Sequence, residues 1–270
     1  MDSAALLRTT QVLISIGVAI QAAETLVARR LFSPAGLYDW RVLSTNARWT
    51  ARGVGAALLN VLLSCPGILV LVCLQLLAAL LVLSGLASAW MVVAVGIMLI
   101  VHMLFLFRNQ YGTDGSDQMM LLVLAALFVY YLHPTSRMLT IVFGFVAGQL
   151  VVAYLTSGVA KAISPVWRSG KAIAGILNTH AYGAPSLARF FSRHRWAARA
   201  ACWGVLCYEC CGPVVCWIDP RVALGFFAAG AAFHFTIGLC MGLNIFFWSF
   251  TATYPAVYYF AQKFGGVLVH

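Results

Sequence analysis

Residues 67–86 read GILVLVCLQLLAALLVLSGL, and the run continues through residues 87–107 without an Asp, Glu, Lys or Arg until Arg108. A helix of about 20 residues, rising 1.5 Å per residue, crosses the hydrocarbon core of a bilayer. Two such lengths follow one another here. Strands of a membrane barrel would instead alternate apolar and polar residues over about 10 positions, and these runs do not alternate.

The whole chain repeats this character. It is 63% hydrophobic and only 9% charged, with a mean hydropathy of +0.93. Soluble domains carry about 25% charged residues. A globule of this size cannot hide so much apolar surface, whereas lipid is a solvent that accepts it. The net charge of +10 does not point to nucleic acid, because the Lys and Arg residues fall between the apolar runs, where membrane proteins place their cytoplasmic positives. No nucleic-acid partner is expected.

Outward from residues 67–107, further spans follow. Residues 10–28 are a first candidate, and Gln21 and Glu24 require one stripe of it to face protein. Residues 29–52 are basic, with Arg29, Arg30, Arg41, Arg48 and Arg52 against Asp39, and Trp40 and Trp49 suit a membrane interface. Residues 56–64 read as a short lead-in helix. Residues 118–132 and 138–159 are the fourth and fifth spans, followed by a long basic loop over 161–195. Residues 196–218 are the sixth, stopped by Asp219-Pro220. Residues 222–241 are the seventh, and 244–260 are an eighth or a continuation past Gly242-Leu243-Asn244. The fold class is all-α: a polytopic transmembrane helical bundle of about 7–8 spans, one integral-membrane domain over residues 1–270, multi-pass in the cell membrane. No cleavable signal peptide is expected, since no small-residue cleavage site precedes a polar mature segment.

Positive residues concentrate after spans one, three and five, which places those loops in the cytoplasm and the N-terminus outside; Arg8 weighs the other way. No internal repeat is evident, which disfavours a transporter built from inverted halves.

Ionisable groups inside such helices are costly, so they mark the places to look for function. The first cluster is His102 with residues 108–118, including Asp114, Asp117 and Gln118. Asp117 or Ser116 would cap the next helix. Asp114 is less easily a cap, and would pair with Lys161 or Arg168 or orient a substrate hydroxyl. The second comprises Tyr154, Ser157, Gly158, Lys161, Pro165, Trp167, Arg168 and Gly170; Lys161 is either a snorkelling interfacial lysine or a partly buried general base. The third is Glu209, in mid-span, which needs an Arg or His partner or handles a proton. The fourth is His234, packed between helices or shuttling protons, with Asn244 and Tyr254 near the same cavity. Five of the eight cysteines lie between Cys202 and Cys216. They read as small buried hydrophobes, with Cys207-x-x-Cys210 as a redox alternative. Zinc-finger-like spacing is missing, so no metal is expected.

The stretch Tyr154-Leu-Thr-Ser-Gly-Val-Ala-Lys161, followed by Pro165, Trp167 and Gly170, resembles the membrane domain of vitamin K-dependent gamma-carboxylases and their bacterial relatives, the horizontally transferred transmembrane domain family. Gly115-Ser-Asp117, Glu209 with Pro213, and His234-x-x-x-Gly238-x-x-Met241-Gly-Leu-Asn-x-Phe-x-x-x-Phe250 follow in the same order. The likeness spans roughly residues 11–260. It implies that Lys161 is the base that deprotonates a reduced quinone such as vitamin K hydroquinone, which then reacts with oxygen and activates a glutamate for carboxylation. It also implies that Asp114 and Asp117 line the same pocket. Two departures narrow this. The family's adjacent lysine pair is Ala160-Lys161 here, and Asp117 or Gln118 stands where the carboxylases carry a histidine.

These readings give a membrane enzyme acting on a quinone, lipid or peptide. Its catalytic candidates are Lys161, Asp114, Asp117, Glu209 and His234, and its substrate-side candidates are His102, Gln118, Tyr154, Trp167, Arg168 and Asn244. One alternative is a non-catalytic factor for peptide maturation or export, of the sporulation-delaying-protein B type. Another is a proton-coupled transporter using Glu209 and His234.

Overall fold

A computed structural model describes residues 2–46, 54–85, 88–109 and 113–264. Gln110-Tyr111-Gly112, and Trp49 with Arg48 and Arg52, lie outside the described residues. Those described are helical, with no strand among them.

The helices are α1 (Ser3–Val27), α2 (Trp40–Leu43), α3 (Val54–Leu63), α4 (Gly67–Leu83), α5 (Ser88–Arg108), α6 (Gly115–Leu132), α7 (Ser136–Ile163), α8 (Pro165–Arg168), α9 (Ala172–Leu177), α10 (Pro185–Arg193), α11 (Arg195–Cys211), α12 (Pro220–Met241), α13 (Asn244–Thr251) and α14 (Tyr254–Phe264). Five are long and apolar enough to cross a membrane: α1, α5, α6, α7 and α12. A sixth crossing is added if α3 and α4, bent by 72° at their break, act as one. Pro66 sits at that break, and its missing N–H interrupts the helical ladder there. The length and composition of these helices mark the chain as an all-α membrane protein.

Exposure runs opposite to that of a soluble protein. Leu77, Leu80, Ile100 and Leu239 face outward, whereas Gln75, His102, Arg108, Glu209 and His234 are buried. Apolar side chains gain nothing by leaving lipid for one another, so helices associate through close packing and satisfied polar groups.

Contacts divide the chain into two compact units, one of residues 11–139 and one of residues 1–10 with 140–270. In the first, Ile14, Val18 and Ala22 form a buried stripe at helical spacing on α1. Ala22, Phe32, Ile68 and Val72 then make a core cluster. Gln11 donates to the Tyr131 hydroxyl. In the second, α12 and α13 fold back on each other after Gly242, which adopts the left-handed conformation (φ 72°) that ends a helix without a Cβ clash.

Several sequence expectations need correction. The long basic loop over 161–195 is not irregular: it holds α8, α9 and α10, and Pro165 and Pro185 open two of them at the first helical position. The sixth expected span, 196–218, is a 17-residue α11 followed by a 3-10 turn, Gly212–Cys216. The eighth is split between α13 and α14 at Ala252-Thr253. Arg108 does not merely end the third span at an interface. It is fully buried and donates to the Leu63 carbonyl (2.9 Å) and the Tyr38 carbonyl (2.6 Å), with the Phe32 ring 4.9 Å away.

Candidate functional site

The second unit brings two of the sequence-marked groups together. Lys161, in the last turn of α7, places Nζ 2.7 and 2.9 Å from the two carboxylate oxygens of Glu209 on α11. It also donates to the Ser157 hydroxyl one turn earlier, and its Nζ stands 5.2 Å from the centre of the Trp167 ring. Side-chain exposure is 19% for Lys161 and 7% for Glu209. The lysine therefore does not reach freely into solvent. Glu209 takes Lys161 as its partner, not the Arg or His expected from sequence.

Gly158 makes this pairing possible. A Cβ there would lie 2.9 Å from Cys210 Sγ and 3.0 Å from the Cys210 amide nitrogen. Hydrogen in place of a side chain lets α7 and α11 approach until the lysine stem spans the gap.

Tyr154, seven residues before Lys161, anchors a hydroxyl–imidazole cluster. Its hydroxyl is 3.1 Å from His234 Nε2 and 3.1 Å from the Tyr254 hydroxyl. His234 stacks on Phe250 with ring centres 4.5 Å apart, and Tyr254 stacks on Phe227 at 4.9 Å. The Tyr208 hydroxyl donates to the Phe226 carbonyl at 3.4 Å. Space for these hydroxyls comes from Gly230: a Cβ there would sit 2.0 Å from the Tyr208 oxygen and 2.3 Å from the Tyr254 oxygen. Among the described residues, the buried His234 Nδ1 has no hydrogen-bond partner. Asn244 begins α13, with its Cα 3.2 Å from where a Cβ on Gly238 would lie. Arg168 is exposed, and its carbonyl accepts the Trp203 indole N–H at 3.2 Å.

The first unit holds the other polar group. Asp114 is the N-cap of α6 and accepts from the Ser116 amide (2.8 Å) and the Asp117 amide (3.4 Å), while the Asp117 carboxylate accepts from the Asp114 amide (3.3 Å). This reciprocal box corrects the sequence reading, in which Asp117 or Ser116 was the cap and Asp114 was free to pair with a cation. An aspartate at N3 reaches back where a glutamate more often does. Asp117 also accepts from Gln21 Nε2 at 3.1 Å. His102, fully buried, lies with Nε2 3.0 Å from the Asp117 carbonyl, so Nε2 carries the proton. Gln118 is exposed on the first turn. A cavity of about 280 Å³ opens beside this group, lined in part by Gln21, Glu24, Asn109, Thr113 and Asp117.

All eight cysteines are free thiols. Cys202 and Cys216 are buried, but Cys207 and Cys211 face outward, so the buried-hydrophobe reading fits only part of the set. Among the described residues, no group of three His, Cys, Asp or Glu side chains is placed to hold a metal ion.

Tyr208 and Gly230 carried no role in the sequence reading, and Phe250 entered it only as the last residue of the His234-led motif. Tyr208 directly precedes Glu209, but its neighbour across the helices, Gly230, is 22 positions away and no local pattern links them. Compared with known protein families, characterised proteins and solved structures, the chain matches none.

Proposed function

We propose that the chain is a membrane enzyme of the gamma-carboxylase-like type, in which Lys161 is a general base toward an acidic O–H of a quinone-class substrate, a lipid or a peptide. The carrying observation is the two-oxygen contact between Lys161 Nζ and Glu209. In the ionic form the pair holds one ammonium and one carboxylate. When the ammonium proton passes to Glu209, the free amine can take a proton from a substrate hydroxyl. The substrate anion is then left against a newly formed ammonium. The face of Trp167 offers a flat apolar surface beside the reacting nitrogen, which suits a planar ring. Glu209 is engaged by Lys161 and His234 by Tyr154, an arrangement that favours local proton transfer over a transport relay joining the two.

The finer architecture belongs to the same reading. The bent α3–α4 pair, α11 with its 3-10 continuation, and α13 with α14 add to the five long helices, giving about 7–8 crossings of the cell membrane. Length and apolar character support the five long helices and the bent pair as crossings; the crossings beyond these six are part of the proposal.

The test uses membranes containing the full chain, supplied with a reduced naphthoquinone under oxygen. Lys161→Ala is expected to abolish consumption of the hydroquinone above the background of membranes lacking the protein, and Glu209→Gln to slow it strongly. Both variants must be present at wild-type levels. Full turnover by Lys161→Ala would end the base assignment.

A further inference from the structure

We propose that the groove between α9 and α10 binds the phosphate of an anionic phospholipid headgroup. This site is separate from the Lys161–Glu209 pair and does not depend on its chemistry.

The groove has a volume of about 370 Å³ and is lined by Asn178, Arg189, Ser192 and Arg193, with Gly175 and Ala188 among its small residues. Arg189 and Arg193 are four residues apart on α10, so they stand on one edge a turn apart. Among the described residues, neither has a carboxylate within ion-pair distance. From 161 to 199 the chain carries Lys161, Arg168, Lys171, Arg189, Arg193, Arg195 and Arg199 and no Asp or Glu. Among the described residues, Glu209 pairs with Lys161 and with no other cation of this segment. The segment is thus an uncompensated positive patch.

Its setting identifies the anion. A run this basic, beginning where a 28-residue apolar helix ends, belongs on the cytoplasmic face, and the lipids of that leaflet carry negative charge. Phe190 on α10, and Trp196 and Trp203 on the following α11, are exposed at 45%, 74% and 40%. Aromatic side chains at the rim of a basic amphipathic helix sit at headgroup level, with their apolar bodies toward the acyl chains. Guanidinium forks match phosphate oxygens two at a time, and the Asn178 amide and Ser192 hydroxyl add neutral donors. A Cβ at Gly175 would meet nothing within 4 Å, which leaves the groove open above α9. Inorganic phosphate offers the same oxygens, but the apolar rim gives it no further contact, so lipid is the assigned source.

The full chain is purified in neutral detergent and titrated with dioleoylphosphatidylglycerol, with dioleoylphosphatidylcholine, or with inorganic phosphate. Thermal midpoint and lipid retained in native mass spectrometry are read. Phosphatidylglycerol is expected to raise the midpoint and to remain bound, unlike the other two. The double variant Arg189→Ala/Arg193→Ala should weaken that binding about tenfold or more, since at least one charge-assisted hydrogen bond is lost. Gly175→Leu should weaken it similarly by filling the groove while leaving every charge in place. Arg137→Ala, outside the segment, should bind as wild type does. Equal stabilisation by phosphatidylcholine or by inorganic phosphate would overturn the proposal. So would undiminished binding by Gly175→Leu, which would mean diffuse attraction to the basic segment instead of a groove.

Discussion

Lys161 stands seven residues beyond Tyr154 on α7, and at 100° per residue the two side chains leave the helix on nearly the same face. One bonds to Glu209 and the other to His234 and Tyr254. Across from them, the consecutive residues Tyr208 and Glu209 on α11 divide in the same way: Tyr208 stacks edge-on against Tyr154 at 5.5 Å, and Glu209 meets the lysine. The ion pair and the hydroxyl cluster are thus neighbours along one helix stripe.

Breaking the ion pair on one side should cost more than removing it whole. Loss of one partner of a buried pair costs about 3–5 kcal/mol, because the other charge stays desolvated. The partial exposure of Lys161 puts the expected loss near or below the lower end. Lys161→Met and Glu209→Gln should each lower the thermal midpoint in detergent, and the double variant should lose less than either single variant. Strict additivity would mean that the contact is not energetically coupled.

Gly230→Ala should destabilise the second unit by about 1–3 kcal/mol, the usual cost of overpacking. The added carbon lands on the Tyr208 and Tyr254 oxygens, and neither ring can swing away from its stacked neighbour cheaply. Tyr208→Phe in the same background removes one of the two clashing atoms and should recover part of the loss in a thermal melt. No recovery would place the strain elsewhere.

Arg108→Lys should be nearly as damaging as Arg108→Met, although it keeps the charge. The guanidinium serves the Leu63 and Tyr38 carbonyls and Asn109 at once. A lysine ammonium is a point donor and cannot span that fork. Each buried carbonyl left unpaired costs about 1–3 kcal/mol. Protease resistance of the detergent-solubilised protein reports the effect, and wild-type resistance in Arg108→Lys would contradict it.

Acid should loosen the turn before α2. The Arg41 guanidinium beside Asp39, with the Ala35 and Arg41 amides, holds the Asp39 carboxyl well below the usual carboxylate range. A pKa depressed on folding contributes stability that is full above the unfolded value, about 4, and is lost as the pH falls through the lower folded value. Protection of the Ala35 and Arg41 amides from hydrogen exchange should therefore fall steadily below about pH 4 in the wild type. Asp39→Asn should show the weaker protection already at neutral pH, with little further change on acidification. Identical profiles for the two proteins would rule the mechanism out.

Much of the helix framework was legible in the sequence. Apolar length located α4, α5 and α12, because hydropathy is a local property and the bilayer sets a fixed length. Gly242 and Asp219-Pro220 marked where α12 ends and begins through backbone conformations that only certain residues adopt. The cap of α6 was legible only as a cluster: deciding between Asp114, Ser116 and Asp117 depends on which residue leaves the helical conformation, and all three side chains can accept the bond. Lys161 and Glu209 were each singled out as costly in lipid, but their pairing was not read, since 48 residues separate them and charge alone allows any cation for the glutamate.

What the sequence determined by itself is the solvent: a chain this apolar and this sparsely charged must build helices that satisfy their own backbones, and its ionisable residues must turn inward. Only the tertiary structure decided who meets whom. Gly158 lets two helices close until Lys161 reaches Glu209, and Gly230 leaves room for two tyrosine hydroxyls. Those approaches depend on distances of a few tenths of an ångström between segments remote in sequence, and no local rule of composition or periodicity encodes them.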